Sequence, residues 1–233
     1  AWSASGEYLG NSKGTRVING LTARSVSAGW FHSAAVRSDG TVTCWGAGED
    51  ATLDPKQLTN LPNFQQSIVP AGITGATVPV HEFPLDSWRR TIDGYLTSVF
   101  LCLRHQIPAM LPAGRGGIVN MSSIYGLRGH AIPGGGAYAA AKHGVLGLTR
   151  SAALQYASKG LRITAISPGW VATPPIAGWM KNDPAFASTI TGLTPRGKVA
   201  TPEEIAQSVL FLCSDGAAAM IGSPLIVDGG ALA

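Results

Sequence analysis

"GRGGIVNMSSIYG", residues 114–126, is the stretch on which the reading of this chain turns. Ile118-Val119 and Met121 form a short apolar run between a glycine-rich entry and the pair Ser122-Ser123. A run of that length bounded by turn residues reads as a buried strand. The two serines then stand at its end, free either to cap their own backbone or to offer hydroxyls to chemistry.

On either side of it, the text alternates between helical and strand patterns, as in an α/β protein. Upstream, "FPLDSWRRTIDGYLTSVFLCLRHQIPAML" (83–111) reads as one long helix started near Asp86. Downstream, "AYAAAKHGVLGLTRSAALQYASKG" (137–160) reads as a second long helix closed by Gly160. "LRITAISPG" (161–169) is another strand and "PLIVDGG" (224–230) the last. Between them, "TPEEIAQSVLFLCSD" (201–215) carries a helix-start signature, with Thr201 as cap, Pro202 in the first turn and Glu204 reaching back.

Tyr138 and Lys142 lie four apart on the second helix and so share one face. That spacing has a chemical use. A phenol ionises near ~10, and a neighbouring ammonium favours the phenolate and lowers that value. The tyrosine could then exchange a proton with an alcohol oxygen near neutral pH. Such a pair also arises by chance on many helices, so its weight comes from the serines before it and the "SPGWVATP" segment (167–174) after it.

Taken together, these motifs resemble the short-chain dehydrogenase/reductase family over residues 71–233. The resemblance implies a Rossmann-like parallel sheet with flanking helices and hydride transfer between NAD or NADP and a secondary alcohol or ketone. It implies Tyr138 as acid/base, Lys142 as its activator and a ligand of the ribose hydroxyls, and Ser123 as a donor to the substrate oxygen, with Ser122 the alternative. It further implies that Pro168, Gly169, Val171 and Thr173 line the nicotinamide, and that the protein forms a homodimer or homotetramer. The fifteen residues from Ser123 to Tyr138 are about two more than is usual there, because "HAIPGGG" (130–136) is extended.

The chain departs from the family at three places. A strand, a Gly-x-x-x-Gly-x-Gly turn and a helix should open the domain and meet the pyrophosphate, and no such segment is present. Val69-Pro70-Ala71-Gly72 stands where the family has Asn-Asn-Ala-Gly, and Gly94-Tyr95 where it has Val-Asn. A phenol cannot copy the geometry of an amide.

Residues 1–70 read differently. Trp2 and Trp45 lie 43 residues apart, and the same offset pairs Ile18 with Leu61 and Ala28-Gly29 with Ala71-Gly72. "HSAAV" and "TVTCW" alternate like strands around the turn "SDG". The segment "SAGWFHSAAVRSDGTVTCWGAG" (27–48) resembles the regulator-of-chromosome-condensation propeller repeat. Blades bury their faces against neighbours, so an array this short should lean on the domain after it in the chain. A small antiparallel β segment (1–70) set on or beside the exposed edge of the α/β domain (71–233) is therefore expected. "TVTCWGAGEDA" (41–51) imitates a dinucleotide fingerprint, but Glu49 and Asp50 would face the pyrophosphate and Pro55 breaks the helix that should come next.

Composition narrows the rest. Of 233 residues 45% are hydrophobic and 13% charged, which suits a folded domain rather than a disordered chain. The net charge of +4 is scattered, with no basic run beyond Arg89-Arg90, so no nucleic-acid partner is expected. No stretch approaches ~20 unbroken apolar residues, so no membrane partner is expected either. Cys44, Cys102 and Cys213 have neither metal-ligand spacing nor a disulfide pattern, and "AWSASGEYLG" does not read as a signal peptide. No metal site and a cytoplasmic location are expected. Three functions remain open at this point: a nicotinamide-dependent oxidoreductase impaired in cofactor binding, a non-catalytic binding or scaffold protein derived from one, and a propeller-type interaction module.

Overall fold

The computed structural model describes residues 77–233 and the backbone of four strand segments before them. The "GGIVNM" run forms β5 (Gly116–Met121), parallel to "LRITAISP" as β6 (Leu161–Pro168), which in turn lies parallel to "PLIV" as β7 (Pro224–Val227). Of the four segments, β1 (Ala23–Ala28) lies parallel to β5, with Val26 opposite Ile118. From it an antiparallel meander continues through β2 (His32–Arg37), β3 (Val42–Gly46) and β4 (Ala51–Leu53). The sheet order is β4-β3-β2-β1-β5-β6-β7. "HSAAV" (32–36) and "VTCW" (42–45) thus pair as antiparallel strands. The tryptophan register, the seam at 69–72 and the imitation fingerprint beyond Gly46 lie outside the described residues.

Helices cover both faces of the parallel strands, and side-chain alternation along β5 assigns the faces. Ile118 packs with Leu161 and Ile163 of β6 against the helical run 85–110 and α3 (Gly136–Tyr156). Val119 and Ile166 point the other way, toward α6 (Pro202–Cys213), where they meet Ile205 and Leu212. Ile118, Ile163 and Ile166 are fully buried, each worth about 1.5–3 kcal/mol of transfer free energy. A third cluster joins α4 (Pro174–Asn182) to α5 (Pro184–Gly192) through Ile176 and Ile190, with Trp170 and Phe186 packed on it.

The helix expected over 83–111 is interrupted. α1 (Leu85–Ile92) passes into a π turn, Asp93–Thr97, before α2 (Ser98–Met110) resumes. The buried positions Ser87, Thr91, Tyr95, Val99, Leu103 and Ile107 recur every four residues. In a plain α-helix each such step drifts by about 40°. One wider turn takes up part of that drift and keeps the stripe on the core.

Helix ends follow the local chemistry. Thr201 and Glu204 form the reciprocal capping box, with Thr201 Oγ1 accepting from Glu204 N at 3.2 Å and the Glu204 carboxylate accepting from Thr201 N at 2.8 Å. The same carboxylate accepts from both terminal nitrogens of Arg196 at 2.9 and 2.7 Å, which holds it down at about 2. Gly160 ends the second long helix at φ +81°, where a Cβ would run into the Gly114 carbonyl. α4 and α5 lie in a stretch without a clear sequence reading. There Asp183 Oδ1 caps α5 by accepting from Phe186 N at 2.9 Å, with Pro184 in the first turn.

Candidate active site

The carboxyl ends of β5 and β6 meet the first turns of α3, and the expected residues gather there. Ser122 N continues the ladder by donating to Ile166 O at 2.8 Å, while its hydroxyl donates to Lys142 O at 3.0 Å. Ser122 therefore ties strand to helix. Ser123, one residue on, turns to the other side and starts the short 3-10 turn Ile124–Gly126, its Oγ accepting from Tyr125 N at 3.2 Å. The serine hydroxyl also stands close enough to the Tyr138 phenol to favour its ionised form. The extended "HAIPGGG" loop leaves this contact intact. His130 folds back to stack on Tyr125 at 4.0 Å, which places His130 in the loop wall and not among the proton-handling groups.

Lys142 is 6% exposed, and its Nζ donates to Met121 O at 2.9 Å. The ammonium stands 5.0 Å from the ring centre of Tyr95 and 5.6 Å from that of Tyr138. Burial pushes the lysine down to about 8. Burial likewise pushes the Tyr138 phenol up to about 12, partly opposed by the Ser123 hydroxyl. The sequence reading expected the reverse direction for the tyrosine. The ammonium is directed at a backbone carbonyl and ring faces, not at the phenol oxygen, so desolvation outweighs the neighbouring charge.

At the end of β6, Pro168 is buried and Gly169 N donates to Val227 O at 3.1 Å. A Cβ at Gly169 would come within 2.9 Å of Asp228 Cα, so no larger residue fits between β6 and β7. Val171 forms a bridge to Ala200. Thr173 precedes α4 without capping it; it is 3% exposed and its Oγ1 has no hydrogen-bond partner. Ser167 Oγ is buried and unpartnered as well. Buried hydroxyls without partners are uncommon, and they suit a site that receives a polar ligand group such as a carboxamide. Lys142 Nζ, with one of three protons engaged at Met121, can also donate to a diol. The described residues thus fit the nicotinamide-ribose end of a dinucleotide. For its pyrophosphate they offer no glycine-rich turn between a strand and a helix.

Several aromatic contacts carry no sequence signal. Tyr125 lies 6.2 Å from Tyr138, edge to face, and Tyr95 lies 4.9 Å from it at 85°. Trp170 and Trp179 both pack edge-on against Phe186, at 5.9 and 6.1 Å. His143 contacts its own helix through Ala139 O, and Asp93 is exposed with Thr97 as its partner. Glu82 is exposed beside His81. Beside the site, a cavity of about 530 Å³ opens between residues 79–88 and 130–137, with Val80, Phe83, Trp88 and Ile132 among its lining. Among the described residues no cluster of side chains could hold a metal ion, and no helix is long and apolar enough to cross a membrane.

A strand-ending serine pair, a Tyr-x-x-x-Lys helix and a Pro-Gly turn on one edge of a parallel sheet are the common parts of a nucleotide-dependent oxidoreductase domain. The chain belongs to the short-chain dehydrogenase/reductase family: the family model described as "Enoyl-(Acyl carrier protein) reductase" matches residues 63–231. A second model, the regulator of chromosome condensation (RCC1) repeat, matches residues 23–50. The chain is 44% identical over 180 residues to cis-4-hydroxycyclohexanecarboxylate dehydrogenase of Sinomonas cyclohexanicum, covering 77% of this chain and 70% of that one. It is 45% identical over 159 residues to cyclohexanol dehydrogenase of an Acinetobacter strain, covering 68% and 60%. A crystal structure described as a putative NAD(P)-dependent gluconate 5-dehydrogenase from Beutenbergia cavernae, with bound NADP, aligns with a TM-score of 0.62 at 38% identity, covering 67% of this chain and 62% of that one. The chain therefore spans less than two-thirds of the second and third of these relatives.

Proposed function

We propose that the protein is an oxidoreductase of short-chain dehydrogenase/reductase type, moving hydride between NAD or NADP and a secondary alcohol or ketone, with a weakened grip on the cofactor. The relatives named for ring alcohols favour a cyclic aliphatic substrate. The observation that carries the reading is the convergence of Ser123, Tyr138 and Lys142 at one strand end. A nicotinamide, when bound, supplies the hydride donor or acceptor. This chain's residues do the rest. Ser123 orients the substrate oxygen, Tyr138 gives it a proton or takes one, and Lys142 steadies the charge on the phenol oxygen and reaches the ribose hydroxyls. Pro168, Gly169, Val171 and Thr173 line the nicotinamide face.

Residues 1–70, read as a propeller-repeat-like segment, occupy the place in the chain where the nucleotide-holding half belongs. That exchange favours a second reading, a non-catalytic binding protein that keeps the family's scaffold and its homodimeric or homotetrameric surfaces. Titration of NADH and NADPH by intrinsic tryptophan fluorescence, then assay with cyclohexanol at millimolar cofactor, separates the readings. We expect no saturation in the micromolar range and slow turnover at high cofactor. Micromolar saturation would refute the weakened grip, and complete absence of turnover would favour the scaffold.

A further inference from the structure

The π turn at Asp93–Thr97 carries Tyr95 into the core beside the pair on α3, and the contacts it makes there are specific. Tyr95 is 6% exposed. It meets Tyr138 edge to face at 4.9 Å and 85°, and the Lys142 ammonium stands over it at 5.0 Å, nearer than over Tyr138 itself. Edge-to-face rings at this separation attract, as does a cation over a ring face. Burial drives the Tyr95 phenol far above its ordinary range, further than Tyr138. Tyr95 is therefore neutral at any working pH, and it is its ring that faces the pair on α3.

We propose that Tyr95 is a positioning residue whose ring face fixes the Lys142 ammonium and whose edge contact fixes the Tyr138 ring, so that the pair keeps one relative geometry in the ligand-free protein. The inference rests on the reading of Tyr138 and Lys142 as the reacting pair, but its geometry does not depend on turnover. It gives the π turn a purpose: a plain helix carries the phase of position 95 further from its preceding neighbours Ser87 and Thr91 and so away from α3. The groups facing Lys142 are Tyr138 on its own helix, Tyr95 from the π turn and the Met121 carbonyl from β5. Tyr125 faces Tyr138 from the 3-10 turn, with Arg128 and His130 against its own ring. Desolvation lowers the lysine's value, and the Tyr95 ring, with the Met121 carbonyl and the more distant Tyr138 ring, is one of the groups placed to stabilise its charge.

The test tracks the Lys142 side-chain carbon resonances through a pH titration of the full chain, with no cofactor present, in the parent protein and in Tyr95→Phe and Tyr95→Leu. Phe keeps the ring and should leave the midpoint where it is. Leu keeps the site dry but removes the ring face, so the midpoint should fall by about half a unit to one unit. Should Leu fail to fold by circular dichroism, Tyr95→Met, an unbranched gap-filler, takes its place. An unchanged or raised midpoint in Leu or Met, or a fall in Phe equal to that in Leu, would overturn the proposal. If turnover is present, Leu should lower kcat about tenfold with KM held, and Phe should restore it. Loss of turnover in the parent protein would count against the oxidoreductase reading alone and leave the titration to stand.

Discussion

At the end of β5 the hydroxyls of Ser122 and Ser123 have protein partners, and Thr149 on α3 accepts from Asn120 Nδ2 at 2.9 Å while donating to Val145 O at 2.7 Å. At the end of β6 the hydroxyls of Ser167 and Thr173 are buried with none. The two corners sit on one edge of one sheet; the hydroxyls of the first are engaged within the protein, although Asn120 Oδ1 beside them is buried without a partner, and the hydroxyls of the second are not engaged. A buried polar group without a partner costs about 1–3 kcal/mol. A fold tolerates that cost where a bound molecule offsets it. On the proposed reading, the serine hydroxyls of the β5 corner are held by the protein itself, while the hydroxyls of the β6 corner await a partner from a bound nicotinamide.

The most damaging challenge to this contrast is Tyr138→Phe. It removes the proton-handling oxygen and leaves the ring contacts in place. Turnover of cyclohexanol should fall by about 10³ or more, since positioned acid-base catalysis is worth roughly 10²–10⁴, while circular dichroism stays unchanged. Retained activity would move the chemistry away from the β5 corner altogether.

A pH profile comes next. On the proposed reading, reduction of a ketone uses the protonated phenol and the charged lysine. Tyr138, pushed up to about 12, keeps its proton through the accessible range. Lys142, pushed down to about 8, is charged below that point and neutral above it. The reductive rate should therefore be level below about pH 8 and fall as pH rises through it, approaching tenfold per unit. A rate that stays level well beyond that point would show that the ammonium is not needed.

The smallest effects set the two corners against each other directly. Thr149→Val removes the oxygen that accepts from Asn120 and leaves a buried amide unpaired, so it should destabilise by about 1–3 kcal/mol. Thr173→Val removes an oxygen that bonds to nothing in the protein, so thermal unfolding should occur at the same or a higher temperature. It should also weaken whatever nicotinamide binding the titration detects. A lowered unfolding temperature for Thr173→Val would mean that its hydroxyl has a structural role after all.

Much of this site was legible in the sequence because its signals are local. A spacing of four puts Tyr138 and Lys142 on one helix face whatever surrounds them, and the Thr201–Glu204 box and Gly160 obey rules confined to one turn. The ionisation of Tyr138 was not legible, because it depends on how deeply α3 is buried and where Met121 O draws the lysine. Nor was the π turn: "DGYLT" carries no proline to break the helix, and its widening comes from packing a four-residue stripe against α3. The orphaned Thr173 hydroxyl depends on contacts that do not form, which a sequence cannot display. The parallel pairing of β1 with β5 joins residues some ninety positions apart, and sequence patterns alone predict no more than a covered sheet edge.

That pairing also decides where the sheet stops. With β1 to β3 added beside β5, the outermost strands among the described residues are β4, three residues long, and β7, four residues long. So short a margin gives a foreign strand few amide and carbonyl groups to zip onto. The longer hydrogen-bonding rims of β5 and β6 are enclosed on both sides, so the described strands leave short margins for another chain to extend.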